Sequence, residues 1–300
     1  MKELNLRAYA KVNLGLDVVR KREDGYHEVS MVMQTVKLYD RLHMERISRD
    51  TIELGTNLKF LPVDENNLVY KAVKMLKEEF GIREGVSIQL DKHIPVAAGM
   101  AGGSSDCAAA LFGMNRLFGL GLNRQQLMER GVTLGADVPY CIMRGTALSE
   151  GIGEQLTPLP PMPDCYILIA KPPISVSTKY VYEHLNLPGL SRHPDIAGMV
   201  EGLKKQDLKM ITDRMENVLE TVTETEYPVI AEIKEMMLDH GAVNALMSGS
   251  GPTVFGIYTD KETADRANDA VYGSGIARQV YTVQPYNPGA GRRERADVGR

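Results

Sequence analysis

Apolar residues alternate or run in short stretches over residues 4–20 and 28–47, as in VSMVMQTVKLYDRLHM. Both segments read as strands, joined by a turn at Glu23-Asp24-Gly25. The period then changes. In NLVYKAVKMLKEEF, residues 67–80, Leu68, Val69, Ala72, Val73, Leu76 and Phe80 fall on one helical stripe, and Gly81 follows as a stop signal. VSIQLDKHIPVA, residues 86–97, reads as a strand closed by a proline. The glycine-rich stretch AGMAGGSSD comes next, and then a helix in which Cys107, Leu111, Met114 and Phe118 share a face.

PLPPMPD, residues 158–164, is the densest proline cluster, and no regular element survives so many missing N–H donors. A domain boundary is expected there, between an N-terminal domain at 1–157 and a C-terminal domain at 165–286. Beyond it, CYILIAK reads as a strand, 178–185 and 228–239 as helices, and AVNALMSGSGPTVFGIY as two strands around a glycine-rich turn. A helix at 261–272 and a strand at 278–284 follow. The tail from Asn287, poor in apolar residues, reads as disordered. The pattern is α+β, in two-layer α/β units, with two domains and a cleft between them.

Composition narrows the partners. A net charge of -4 over 300 residues lacks the basic footprint of a nucleic-acid binder. Cys107, Cys141 and Cys165 are odd in number and lack metal-ligand spacing, which points to a reducing compartment, the cytoplasm. Lys2, Glu3, Arg7 and Lys11 interrupt the first residues, so neither a signal peptide nor a membrane span is expected.

The chemistry starts at the glycine loop. Gly99, Gly102 and Gly103, followed by Ser104 and Ser105, put backbone N–H groups and two hydroxyls at the positive end of a helix, which is an anion site. A plain cap by Ser104 or Ser105 is the alternative, though it needs neither three glycines nor two serines. The loop is not GxxxxGK[ST], GxGxxG or GxSxG, so P-loop, dinucleotide and α/β-hydrolase chemistry are disfavoured. Lys11 and Asn13 alternate with Ala10 and Val12, so both polar groups share a strand face, with Ala8, Ala10 and Val12 packing the other. Asp137, between Ala136 and Val138 in LGADVPYC, suits a base at a helix end. Each of these two also has an ordinary reading, as a solvated strand lysine and a turn former.

Three segments together, AYAKVNLGLDVV, PVAAGMAGGSSDCAAAL and LMSGSGPTVFG, resemble the GHMP kinase superfamily from about residue 5 to 285. The resemblance implies that ATP phosphates lie on Pro95-Val96-Ala97-Ala98-Gly99-Met100-Ala101-Gly102-Gly103-Ser104-Ser105, with Mg²⁺ accompanying them. It makes Lys11 and Asp137 the catalytic pair, in which Lys11 keeps Asp137 ionised. The DGYH segment points to a substrate that is a polyol carrying a cytidine diphosphate, with Asn13 on the polyol, Tyr26 and His27 on the cytosine, and Thr178 and Tyr182 on the opposite wall. Met100 and Ala101 stand where many members have leucine and glycine. The metal ligands are unknown, Ser105 being the first candidate, and the role of Asp106 is open. Nucleic acid and membrane are not expected partners, and the chain is expected as a monomer or homodimer. The rival readings are a homoserine or mevalonate kinase, a silent metabolite-binding protein, and more remotely a Ser104-based hydrolase.

Overall fold

The computed structural model describes residues 1–288. The chain opens with a long antiparallel hairpin of β1 (Glu3–Lys21) and β2 (His27–Ile47), paired from Glu3↔Glu45 to Lys21↔His27. Its turn is closed by the bond from Arg22 N–H to the Tyr26 carbonyl, while Asp24 accepts from the Tyr26 N–H and Gly25 takes φ +86°. Three register shifts interrupt the ladder, at Tyr9/Lys11, Asn13/Gly15 and Val18/Arg20.

Next come β3 (Ile52–Thr56), α1 (Leu68–Glu79) and β4 (Gly85–Asp91). Asn67 caps α1 by accepting from the Val69 N–H, and Val69, Ala72, Val73 and Leu76 are its buried stripe. The strand expected to run to residue 97 stops at Asp91. The physical reason is a buried carboxylate: Asp40 in β2 accepts from the N–H groups of His93 and Ile94 and turns the chain off the ladder. Then follow α2 (Gly102–Phe118), α3 (Arg124–Leu134), α4 (Val138–Met143), β5 (Thr146–Gly151) and β6 (Gln155–Pro158).

After the proline cluster come β7 (Tyr166–Lys171), α5 (Thr178–His184), α6 (Ile196–Lys205), α7 (Leu208–Thr212), α8 (Glu220–Glu226) and α9 (Val229–Asp239). The hairpin β8 (Asn244–Met247) and β9 (Val254–Tyr258), α10 (Lys261–Ser274) and β10 (Gln279–Val283) complete the fold. Strands before the proline cluster form one sheet, in the order β3-β4-β2-β5-β6 with β1 on β2; those after it form a second, β10-β7-β9-β8. The tail expected to be disordered starts at Asn287, and all but Asn287 and Pro288 of it lies outside the described residues.

Each sheet carries helices on its outer face, and the two inner faces meet. Ile167 and Ile169 of β7 pack inward with Ala10, Val12 and Leu14 of β1, Val32 and Val36 of β2, and Phe255 and Ile257 of β9. Leu168 and Ala170 point the other way and belong to the larger outer cluster. The bulges alter one expectation: Ala8 sits in the outer cluster while Ala10 and Val12 sit in the inner one, because the shift at Tyr9/Lys11 reverses the side-chain parity. Among the described residues no helix is long and apolar enough to cross a membrane.

Candidate active site

The segment between the first two register shifts is what matters for function. Lys11 and Asn13 lie there side by side, both buried, with the Lys11 ammonium donating to Asn13 Oδ1 at 2.7 Å. Lys11 also donates to the Gly99 carbonyl at 2.9 Å, so the β1 lysine grips the glycine loop directly. An ammonium has three donors, which leaves one uncommitted.

Residues Pro95 to Ser104 line, without a gap, a cavity of about 1070 Å³. Their backbone turns through positive φ at Ala97 (51°), Gly99 (71°) and Ala101 (55°). Ala101 occupies the left-handed region that glycine favours, at a cost an alanine tolerates. It is also the residue that precedes α2, and no side chain caps the helix. The alternative of a serine cap therefore fails: Ser104 and Ser105 already lie in the first turn. The N–H groups of Gly102, Gly103 and Ser104 have no partner within the helix, since the first internal bond runs from Ser105 N–H to the Ala101 carbonyl. Gly99 is required for a second reason. A Cβ there would stand 2.1 Å from the Ser248 carbonyl oxygen, where the loop meets the C-terminal glycine turn.

The two serines part company. Ser104 faces the cavity, while Ser105 is buried and donates its hydroxyl to the Tyr9 carbonyl at 2.7 Å, turned away from any ligand. Asp106 is buried as well, and Lys92 lies between it and Asp40, 2.7 Å from Asp106 Oδ2. Burial, with the neighbouring Asp40 charge adding and Lys92 opposing, holds the Asp106 carboxyl well above the usual carboxylate range. Sequence reading missed Asp40 and Lys92. A lone aspartate in β2 and a lysine just past β4 carry no motif.

Asp137 stands at the start of α4 with helical φ and ψ and makes no cap bond. It lines the same cavity as Lys11, although no ion pair joins the two among the described residues. They flank Cys141, whose thiol is pushed up by burial and by the Asp137 charge while Lys11 opposes. Asp137 thus lines the same cavity as the ammonium without a hydrogen bond to it.

The far end of the cavity is built from side chains. His27 and Tyr182 pack ring to ring at 5.1 Å, one from the β2 start and one from α5. Thr178, four residues before Tyr182 on the same helix face, pairs its hydroxyl with Ser250 of the glycine turn at 2.8 Å. Tyr26 lines the mouth and is 61% exposed. Burial, then the Lys21 charge, lowers the His27 pKa and keeps the imidazole neutral at pH 7. Asn217, also missed, donates to the carbonyls of Met247 and Gly249 and braces that turn from below.

This geometry can be set beside known proteins. The GHMP kinases N terminal domain family matches residues 67–145, and the GHMP kinases C terminal family matches residues 199–276. A 4-diphosphocytidyl-2-C-methyl-D-erythritol kinase of Lachnospira eligens is 57% identical over 96% of this chain and 100% of its own. One of Lachnoclostridium phytofermentans is 58% identical over 88% of this chain and 91% of its own. A crystal structure of a 4-(cytidine 5'-diphospho)-2C-methyl-D-erythritol kinase superposes with a TM-score of 0.80 at 31% identity, covering 94% of this chain and 98% of that one. A mevalonate kinase of L. major, at 14% identity and TM-score 0.75, shares the fold. Between the branches that this fold serves, the identity over the whole length decides: the chain belongs to the 4-diphosphocytidyl-2-C-methyl-D-erythritol kinases of the GHMP kinase family.

Proposed function

We propose that the protein transfers the γ-phosphoryl group of ATP to the 2-hydroxyl of 4-diphosphocytidyl-2-C-methyl-D-erythritol, releasing ADP and the 2-phosphate in non-mevalonate isoprenoid precursor biosynthesis. One observation carries the reading. A single cavity is lined by an N–H-rich helix start, an uncapped carboxylate and a buried ammonium, with a neutral histidine and a tyrosine at its other end. ATP lies with its phosphates along Pro95 to Ser104, where the free N–H groups of Gly102, Gly103 and Ser104 meet the oxygens. The N-terminal domain, 1–157, supplies this nucleotide side, and residues 165–286 supply much of the substrate side.

Asp137 accepts the proton of the attacking hydroxyl as the bond to phosphorus forms and the bond to the ADP oxygen breaks. Lys11 steadies the hydroxyl and the transferring oxygens with its remaining N–H, and Asn13 orients the polyol beside it. His27, neutral, offers the cytosine one donor and one acceptor, and Tyr26 offers a face to stack on. Thr178 and Tyr182 close the opposite wall.

Mg²⁺ accompanies the triphosphate and neutralises part of its charge. The cavity holds no preassembled cage for it: among the described residues the one trio of potential ligands is Glu3, His43 and Glu45, outside the cavity lining. Ser104, not the inward-turned Ser105, is the hydroxyl that fits the metal–phosphate complex. The enzyme works in the cytoplasm, as a monomer or homodimer, where its buried cysteines stay reduced.

The test is ATP consumption by the purified protein with the cytidyl polyol, homoserine and mevalonate in parallel, the phosphate position being read by ³¹P NMR. Turnover of the cytidyl substrate alone is expected. Turnover of another alcohol would sink the roles given to Tyr26 and His27, and no turnover would return the chain to the class of binding proteins.

A further inference from the structure

The buried cluster of Asp40, Lys92 and Asp106 lies under both ends of the glycine loop. Asp40 is fully buried in β2, and its Oδ1 accepts from the N–H groups of His93 at 2.5 Å and Ile94 at 2.8 Å, the residues that lead into the loop. Its Oδ2 holds the Lys92 ammonium, which also reaches Asp106 Oδ2 in α2, the helix that leaves the loop. The backbone of Lys92 is fixed in turn: the Asn57 side chain accepts from its N–H at 2.9 Å and donates to its carbonyl at 3.1 Å. Packing over this cluster is tight, since a Cβ at Gly102 would stand 3.1 Å from Ile94 Cγ2 and 3.2 Å from Lys92 Nζ.

Entry and exit of the loop therefore meet at one ammonium. Between them the backbone passes through three left-handed residues, two of them alanines, with small side chains that cannot hold such a path by themselves. The cluster is a poor device for stability alone. Two carboxylates face one lysine, and Asp106 Oδ1 is buried without a partner. What it does supply is a single geometry, because charge-assisted bonds to a shared donor tolerate little displacement.

We infer that Asp40 and Lys92 are positioning residues for the nucleotide. The cluster presets the loop so that its N–H groups converge on phosphate oxygens before ATP arrives, and its effect falls on ATP affinity rather than on recognition of the cytidyl end. This rests on the assignment of the ATP phosphates to residues 95–104.

Asp40→Asn tests it, because asparagine still accepts from His93 and Ile94 while withdrawing the charge that anchors Lys92. The dissociation constant of a non-hydrolysable ATP analogue is expected to weaken about tenfold, equivalent to about 1.4 kcal/mol. The KM for the cytidyl substrate should stay within roughly twofold, well inside that tenfold scale. Should Asp40→Asn fail to fold, Asn57→Ala, at an exposed residue that fixes the same lysine, must show the same split to a smaller degree. Analogue binding equal to the wild type, or weakening of both substrates in step with a fall in Tm, overturns the inference. Failure of the wild-type protein to bind the analogue is a different result, which overturns the phosphate assignment itself.

Discussion

The two ends of the cavity are built on opposite principles. At the end proposed for the phosphates the wall is mainly loop backbone, tied to Lys11 and to the glycine turn, with the Lys92–Asp106 pair beside it. At the end proposed for the cytidyl group the wall is made of side chains from the β1–β2 turn and α5, one of them largely exposed. The difference follows from what each end must recognise. Phosphate oxygens are alike in every ATP, so converging N–H groups suffice and the geometry has to be exact in advance. A cytosine is told from other groups by its pattern of donors and acceptors, which demands particular side chains.

Removing the group between the two ends should have the largest effect. Asp137→Asn is expected to lower kcat by about 10² to 10⁴ while leaving both KM values close to the wild type, as read by steady-state kinetics. Gly99→Ala strikes the rigid end. Its new Cβ would meet the Ser248 carbonyl in a backbone with φ +71°. A stability loss of about 1–3 kcal/mol in urea titration should accompany a raised KM for ATP.

At the other end, His27→Ala should raise the KM for the cytidyl substrate by about tenfold and spare the KM for ATP, the worth of one lost hydrogen bond to a desolvated base. The pH profile sharpens this. Burial keeps His27 neutral, so that KM should be flat above pH 7 and climb as pH falls below the ordinary histidine value of about 6.5. A KM that climbs with rising pH instead would remove His27 from the base site.

The smallest effect concerns stability. Glu220 accepts from the Met247 N–H at the root of the glycine turn and pairs with Lys234. Burial pushes its carboxyl up to about 7 from 4.5, against the pull of Lys234. Between those values the folded state keeps a proton that the unfolded chain has released. Stability therefore declines as pH rises through this window, by at most about 1.4 kcal/mol per pH unit, and levels off above it. Thermal melts from pH 5 to 8 should show the slope, and Glu220→Gln should flatten it.

Local patterns were legible. The helix expected at 67–80 runs Leu68–Glu79, because its stripe and its Gly81 stop are complete within the segment. The glycine loop was legible for the same reason, as all its N–H groups come from one stretch. α3 escaped notice: RQQLMERGVTL buries little beyond Leu127 and Gly131, although its capping box, Asn123 with Gln126, was there to be read. The faces of β1 were read wrongly at Ala8, since a bulge depends on the partner strand and leaves no mark in the bulged one.

By itself the sequence determined the long opening strands, the helices near 67–80, 178–185, 228–239 and 261–272, that an anion loop opens a helix, and through the DGYH resemblance which kinase branch to expect. Tertiary structure alone decided that Ser105 turns inward, that Lys11 binds the loop carbonyl instead of pairing with Asp137, and that Asp40 and Lys92 brace the loop. The reason is physical. Hydrogen bonds along one stretch follow from spacing, whereas bonds between residues 50 or 90 positions apart depend on how the sheets and helices pack, which no local period encodes.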